Sequence, residues 1–485
     1  MLYKSVIENA KNDPEKIIFQ SEKKKLTNRD LYEKVQSCMD YLNACKVFNQ
    51  KILIEFFDEI EIIPMLIATI TLGINICLVD LKRENKSKNQ RIAIFRPDII
   101  ITDRGKVSVH NEFPIEWIYS SKYVTNKAGS KSCTEDRLVL TIFTSGSTGV
   151  PKGIKIMKSN IYFCIESILK ILKLSSEDKI GLFLPITFDY GLYHIFFAVI
   201  KNCRLEFFSE EYSEFALLSF ILERKITFLP SLPKTTTNLI WLAKRNKWLN
   251  LLSLKTITNT GEYLSPSIQE LIWKQNPNLN IYFMYGITEC KRVSILTPEE
   301  FKFKPNSVGK PLPGTKAYVL NHESNKLSEH GYGELVIEGP SVTSGYLSDV
   351  TKEETTHYFE VENTRYFRTG DQFYIDQQGY LFFKGRNSGF IKYNGYRIDP
   401  LEIESIAMKT PKVVFAKVFT LDDHFFLVYQ GECSEEILRD GLKLKLDKYK
   451  IPKVLKIKKM PLTSNRKIDF LKLKKYCAEL ENLTE

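Results

Sequence analysis

Thr144-Ser145-Gly146-Ser147-Thr148-Gly149-Val150-Pro151-Lys152-Gly153 follows an apolar run, Leu138 to Phe143, and leads to a short apolar run, Ile154 to Met157, and an amphipathic stretch, Asn160 to Leu172. The order reads as strand, small-residue loop, short strand, helix. Similar β-branched runs alternate with amphipathic stretches from about residue 50 to 340, which predicts an α/β protein of strands and helices packed in layers. The loop itself is suited to an anion. Backbone N–H groups approach phosphate closely where Cβ atoms are few, and the hydroxyls add donors. It is not a Walker A loop, which needs GxxxxGK[ST] opening a helix, whereas Lys152 here lies between Pro151 and Gly153. Taken alone, such a segment is as consistent with a linker as with a site.

Outward from this segment the texture varies. Upstream, Ile62 to Val79 carries no charge, but Pro64, Thr69, Thr71, Gly73 and Asn75 interrupt it. Thr71-Leu72-Gly73 reads as a helix end before a buried strand, Ile74 to Val79, rather than part of a membrane span. Ser265-Pro266 has the form of a helix start, as does Asp399-Pro400, whose helix ends before Pro411. Beyond about residue 310, turn signals at Gly331-Tyr332-Gly333, Gly339-Pro340 and Asp376 to Gly379 separate short strands, predicting a β-rich subdomain. From Asn387 onward a small α+β module is expected. There is no internal repeat and no low-complexity linker.

The bulk properties are those of an ordinary soluble chain: 485 residues, 43% hydrophobic and 26% charged, too long for one typical domain. Lys and Arg exceed Asp and Glu by 11, with the densest basic stretch from Arg439 to Lys475. There lysines alternate with apolar residues, the pattern of solvated faces more than of a nucleic-acid patch. No base-reading module is recognisable, so a nucleic-acid partner is not expected. Nine cysteines without a CxxC pair, and six histidines without paired spacing, point to neither zinc nor a disulfide framework. The first residues lack a signal-peptide run, so a cytoplasmic protein is expected, with no insertion in a membrane.

Four further motifs recur downstream of the loop: Tyr285-Gly286-Ile287-Thr288-Glu289; Gly333-Glu334-Leu335 with Gly345-Tyr346; Tyr366-Phe367-Arg368-Thr369-Gly370-Asp371, followed by Gly385-Arg386 with Lys392, Gly395, Tyr396, Arg397 and Ile398; and Pro461-Leu462-Thr463 with Asn465, Lys467, Ile468 and Asp469. With the loop they match, in order, the motifs of the adenylate-forming superfamily of acyl-CoA synthetases, luciferases and peptide-synthetase adenylation domains. Leu72 to Asp80 and Pro97 to Asp103 resemble that family's early core segments, so the resemblance spans nearly the whole chain. It implies a large N-terminal AMP-binding domain, residues 1–386, of layered sheets and helices with a β-rich subdomain, and a small mobile α+β C-terminal domain, residues 387–485. It also implies ATP and Mg²⁺ as cofactors and transfer of an activated acyl group to a thiol.

The resemblance assigns roles residue by residue. Thr144, Ser145, Gly146, Ser147, Thr148, Gly149 and Lys152 would hold the β- and γ-phosphates, Thr288 would contact the α-phosphate, and Glu289 would bind Mg²⁺. Tyr285, with Gly286, would lie against adenine, and Asp371 would accept from the ribose hydroxyls with Arg386 nearby. Lys467 would be the catalytic lysine, a long cation able to touch both the carboxylate and the α-phosphate. Such a reaction brings two anions together, so charge neutralisation and positioning carry it. Two positions depart from the family pattern: Ser388 stands at the hinge where Asp or Lys is usual, and Arg466 where glycine is usual.

Phe188-Asp189-Tyr190 stands where amino-acid-activating members carry an aspartate that pairs with the substrate ammonium. Asp189 is either that counter-charge or a cap for a helix beginning at Tyr190. By position Tyr190 and Tyr193 would line the acid pocket, and His194 beside them is read as structural. The expected substrate is a small carboxylic acid, an amino acid on the first reading of Asp189. No carrier segment follows the last motif, so the expected acceptor is a separate acidic carrier protein bearing phosphopantetheine, or alternatively coenzyme A. A non-catalytic relative that only binds nucleotide is the remote alternative.

Overall fold

The computed structural model describes all residues except 83–87, 104–111, 115–135, 146–150, 210–211, 247–252, 261–271, 273, 275, 322–325, 348–356, 363, 387–390, 394–395, 399, 422–423, 463–467 and 482–485. The expected start at Ser265-Pro266 lies outside the described residues.

Two large sheets form the body. One has six strands in the spatial order 112–114, 99–102, 51–56, 75–80, 138–145 and 151–157; all are parallel except the last. Strands Lys51–Phe56 and Asn75–Asp80 are buried along almost their full length, as parallel strands covered on both faces must be. The other sheet has nine strands and a parallel centre, running 280–285, 256–259, 228–231, 179–182 and 204–207.

The uncharged stretch resolves as expected into helix and strand. Asp58 accepts from the Ile60 N–H to cap Glu59–Leu72, and Gly73, at φ +78°, ends it in the left-handed region that favours glycine. Every residue of that helix from Ile62 to Leu72 is buried, so its uniformly apolar surface is covered by protein. At about 1.5–3 kcal/mol per buried large aliphatic side chain, this helix is a principal tie of the core. No helix among the described residues is long and apolar enough to cross a membrane.

The β-rich part is an antiparallel sheet of strands 326–328, 316–321, 331–338, 364–375 and 358–361, with 381–386 also paired to 364–375. Its core gathers Val319, Leu335, Ile337, Phe367, Phe373 and Leu381. Beyond it, helices Pro400–Met408, Glu435–Lys443 and Phe470–Glu481 accompany strands 413–421, 424–431 and 453–456, a small α+β unit with its own buried cluster around Ile403, Leu427 and Leu442. In the basic stretch Lys445, Lys448, Lys453, Lys456, Lys458 and Lys459 are exposed while Leu446, Val454 and Ile457 are buried, the alternation expected of solvated faces.

Candidate functional site

The hairpin that opens the sequence argument is the first piece of the site. Leu138–Ser145 and Pro151–Met157 pair antiparallel, with Thr144 opposite Lys152 and Ser145 opposite Pro151. The second strand thus starts three residues earlier than the local pattern predicts. Gly146, Ser147, Thr148 and Gly149 lie outside the described residues, as does the Ser145 side chain. Gly153 lies against the Gly345-Tyr346 segment. The Leu347 N–H donates to the Gly153 carbonyl at 2.7 Å and the Lys155 N–H to the Gly345 carbonyl at 2.9 Å. A Cβ on Gly153 would stand 2.8 Å from the end of the Leu347 side chain and 3.2 Å from the Phe143 ring, so a larger residue would have to displace both.

That contact carries Tyr346 to Glu289. Its hydroxyl donates to Glu289 Oε1 at 3.0 Å, and the Thr343 N–H donates to the Glu289 backbone carbonyl at 2.9 Å. Three segments separated by up to about two hundred residues meet here. Glu289 is half-buried, with one oxygen steadied by a phenol and the carboxylate otherwise open to a ligand. A hard divalent ion held by one carboxylate and by phosphate oxygens fits such a group.

A second cluster surrounds Asp371, which is 1% exposed. The Tyr285 hydroxyl donates to Asp371 Oδ2 at 2.6 Å, and the Tyr285 ring meets Phe373 edge-on at 4.8 Å between centroids. Burial, with the Asp371 carboxylate alongside, pushes the Tyr285 phenol well up. Glu334 explains two motifs at once. It is buried, takes Arg368 through Nη2 at 2.7 Å and Nε at 3.3 Å, and accepts the Gly370 N–H at 3.2 Å. Thr369 donates to the Leu335 carbonyl. These bonds pin the turn of chain just before Asp371, where Gly370 adopts φ +73°. Arg386 is paired directly opposite Asp371 across the adjacent strands, although its side chain is outside the description.

A cavity is lined by Cys164, Asp189, Tyr190, Tyr193, Lys291 and Arg292, with His194 and apolar groups around them. Phe188, not Asp189, occupies the cap position of helix Asp189–Lys201, so the capping reading is displaced: Asp189 is the first helical residue. It makes no hydrogen bond or ion pair within 4.0 Å with any described residue. Gly191 lets the helix press on the segment that leads into it from strand 179–182, since a Cβ there would lie 2.3 Å from the Pro185 carbonyl oxygen. Tyr190 and Tyr193 both line the cavity, as their positions imply. The Tyr190 hydroxyl is tied to Thr258, and its ring lies 5.2 Å from the Arg292 guanidinium. His194 is structural in its contacts: Nδ1 lies 2.6 Å from the Tyr190 carbonyl oxygen, the ring packs on Phe197 and Phe228, and burial pushes its pKa down to about 3.

Lys291 and Arg292 escaped the sequence reading. They follow Glu289 so closely that the run Cys290-Lys291-Arg292 looks like a polar turn, yet both are buried. Gly286 makes this possible. A Cβ on it would lie 2.1 Å from the Lys291 carbonyl oxygen, while Lys291 itself sits at φ +58°. The only hint in the sequence is a pair of cations entering the β-branched run Val293 to Ile295. Lys467 lies outside the described residues, and so do Ser388 and Arg466; the flanking Leu462 and Ile468 form an isolated antiparallel bridge.

Known proteins resemble this chain in sequence and in fold. The chain is 28% identical over 487 residues to bacitracin synthase 3 of Bacillus licheniformis, a match covering 95% of this chain and 8% of that protein. It is 24% identical over 492 residues to YhfT, an uncharacterized acyl–CoA ligase of Bacillus subtilis, covering 97% of each. The chain therefore spans a small fraction of the synthase and nearly all of the ligase. Its fold is that of o-succinylbenzoate CoA synthetase (MenE) from Bacillus subtilis solved with its acyl-adenylate intermediate, at a TM-score of 0.79, 23% identity and 97% coverage of both chains; MenE has also been solved with ATP and magnesium ion. The profile described as AMP-binding enzyme matches residues 6–347, well over half of the sequence, and the chain belongs to that family.

Proposed function

We propose that this protein adenylates an amino acid with ATP, releasing pyrophosphate, and passes the acyl group to the phosphopantetheine thiol of a separate carrier protein. The observation that carries this reading is Asp189, the one carboxylate among the described lining of a cavity that also holds Tyr190, Tyr193, Lys291 and Arg292, with no ion pair within 4.0 Å to a described residue. An ammonium group entering such a cavity needs a fixed counter-charge to offset its lost hydration. The cavity shares the segment 286–292 with Glu289, so an acid seated there reaches the end of the site assigned to phosphate.

In this reading Thr144 to Gly149 and Lys152 hold the outer phosphates, Thr288 touches the α-phosphate, and Glu289, oriented by Tyr346, holds Mg²⁺ where it supplies charge neutralisation. Tyr285 and Asp371 border the nucleoside, with Arg386 beside them. Because Tyr285 donates to Asp371, one oxygen of that carboxylate is oriented in advance and ribose hydroxyls share what remains. Lys467 bridges the attacking carboxylate and the α-phosphate. Exposed lysines of the C-terminal unit suit an acidic carrier through steering, and the cytoplasm is the compartment in which such carriers meet it. Full-length similarity to acyl–CoA ligases favours coenzyme A as the second acceptor to test.

ATP–pyrophosphate exchange with the purified protein and Mg²⁺ tests the first half-reaction. Amino-acid-dependent exchange that Asp189→Asn abolishes is expected; exchange with deaminated acids only, indifferent to Asp189→Asn, overturns the amino-acid reading. Lys467→Ala should lose exchange by orders of magnitude while still transferring a supplied acyl-adenylate to thiol. Holo-carrier and coenzyme A offered side by side decide the acceptor.

A further inference from the structure

Two cationic donors lining the same cavity lack an acceptor among the described residues, Lys291 Nζ and Arg292 Nε, both buried. The Tyr193 hydroxyl beside them is buried too, with the Cys164 thiol as its neighbour and no stronger partner among the described residues. Arg292 spends one other N–H on Thr260 Oγ1 at 2.5 Å, which fixes its plane and leaves Nε for something else. Orphaned donors at this depth are rare in folded proteins, because each forfeits its bonds to water without replacement. Lys291 is 3% exposed, so its ammonium has given up most of its contact with bulk water. Two cations face one carboxylate across the cavity, so the wall has an excess of positive charge and of donors together. A ligand that completes it brings acceptors and negative charge, over and above the carboxylate consumed in the reaction.

We infer that Lys291, assisted by Arg292 and the Tyr193 hydroxyl, is a specificity residue that selects acids carrying a second carboxylate. The inference rests on the reading of this cavity as the acid site, but not on the presence of an amino group. If Asp189 takes an ammonium, the substrate is an α-amino dicarboxylic acid; if it does not, a plain dicarboxylic acid. A cavity built to hydrogen-bond a polar group rejects the analogue lacking it far more strongly than an apolar pocket rejects a missing methylene, since the donors are then left buried and unpaired.

The test is ATP–pyrophosphate exchange on matched acids, aliphatic and aryl, each with and without an α-amino group. Every dicarboxylic member is compared with the partner in which the remote carboxylate is a carboxamide of nearly the same size. The expected result is a kcat/KM preference of at least about 100-fold for the dicarboxylic member of the best pair. Lys291→Met should reduce that preference to a few-fold, mainly through KM, and Lys291→Arg should restore most of it. An unchanged stabilisation of Lys291→Met by ATP, read as a shift in melting temperature, separates lost recognition from misfolding. Equal or better use of the carboxamide, a preference that survives Lys291→Met, or exchange with none of the dicarboxylic acids overturns the inference. The effect of the amino group, read from the other axis of the same panel and from Asp189→Asn, stands or falls separately.

Discussion

The surroundings of Asp371 and those of Lys291 are about equally buried, at 1% and 3% exposure, yet they are satisfied differently. Around Asp371, Tyr285, Thr369, Glu334, Gly370 and Arg368 close a network in which donors meet acceptors across three strands. Around Lys291 the Lys291 Nζ and Arg292 Nε donors border a cavity and meet no acceptor among the described residues. A satisfied network holds its shape whether or not a ligand is present. An unsatisfied one is completed by what it binds. The contrast separates a part that any nucleotide-using relative can keep from a part that belongs to one substrate, and it predicts opposite responses to losing a cation in each.

The largest effect is expected on the satisfied side. Arg368→Met removes the partner of Glu334, a carboxylate whose side chain is 2% exposed, against 34% for Arg368 itself. Leaving that charge buried without its arginine should cost about 3 kcal/mol, toward the lower end for breaking buried pairs because the arginine is partly solvated and Glu334 keeps the Gly370 N–H. Denaturant unfolding followed by tyrosine and tryptophan fluorescence reads it. A loss under about 1 kcal/mol would mean that water reaches Glu334 and the network is not closed.

Gly286→Ala comes next, with roughly 2–3 kcal/mol of destabilisation expected from a Cβ placed 2.1 Å from the Lys291 carbonyl oxygen. This variant strikes the segment shared by the two regions. It should also blur acid preference, because the left-handed Lys291 that the segment presents cannot keep its place. Loss of stability with acid preference intact would uncouple the two.

How much of this was legible beforehand follows from where the determinants lie. The helix end at Gly73, the strands around Leu138 to Met157, the β-rich sheet and the aromatic wall at Tyr190 and Tyr193 are written in local pattern, since period, caps and turn residues act within a few positions. The helix predicted from Asn160 starts at Lys158 instead because the Asn160 side chain reaches back to the Met157 N–H, a bond invisible to hydrophobic spacing. Likewise the second strand of the hairpin starts at Pro151 because Lys152 and Pro151 continue the antiparallel register with Thr144 and Ser145, a pairing that apolar spacing does not show. Lys291 and Arg292 were missed for the same reason. Charged residues after a motif are solvated by default, and only the closure of Gly286 against Lys291 turns them inward.

Histidine 194 gives a smaller, pH-dependent effect on the pocket side. Its folded pKa, pushed down to about 3 from 6.5 by burial, means that the unfolded chain binds a proton in that range which the folded chain does not. Stability from this site is therefore complete above about pH 6.5 and falls as the pH drops toward 3. Between pH 7 and pH 5 the loss is about 2 kcal/mol. His194→Phe should flatten that part of the stability profile, and a profile of unchanged slope would show that another group carries it.

The smallest effect has the opposite sign and cuts deepest into the contrast. Lys291→Met replaces an unbonded buried ammonium by an apolar chain of similar length, with Cys164, Phe197 and Met284 among the cavity's lining groups. Were Lys291 part of a closed network, as Arg368 is, this change would cost several kcal/mol. With no hydrogen-bond acceptor among the described residues to abandon, it should instead leave the ligand-free protein as stable as before or about 1 kcal/mol more so, because replacing a poorly compensated buried charge removes a desolvation cost. Asp189 limits the gain, since it loses a nearby cation. The same substitution that strengthens the empty protein then weakens recognition of its acid, and the two measurements together distinguish a residue kept for binding from one kept for folding.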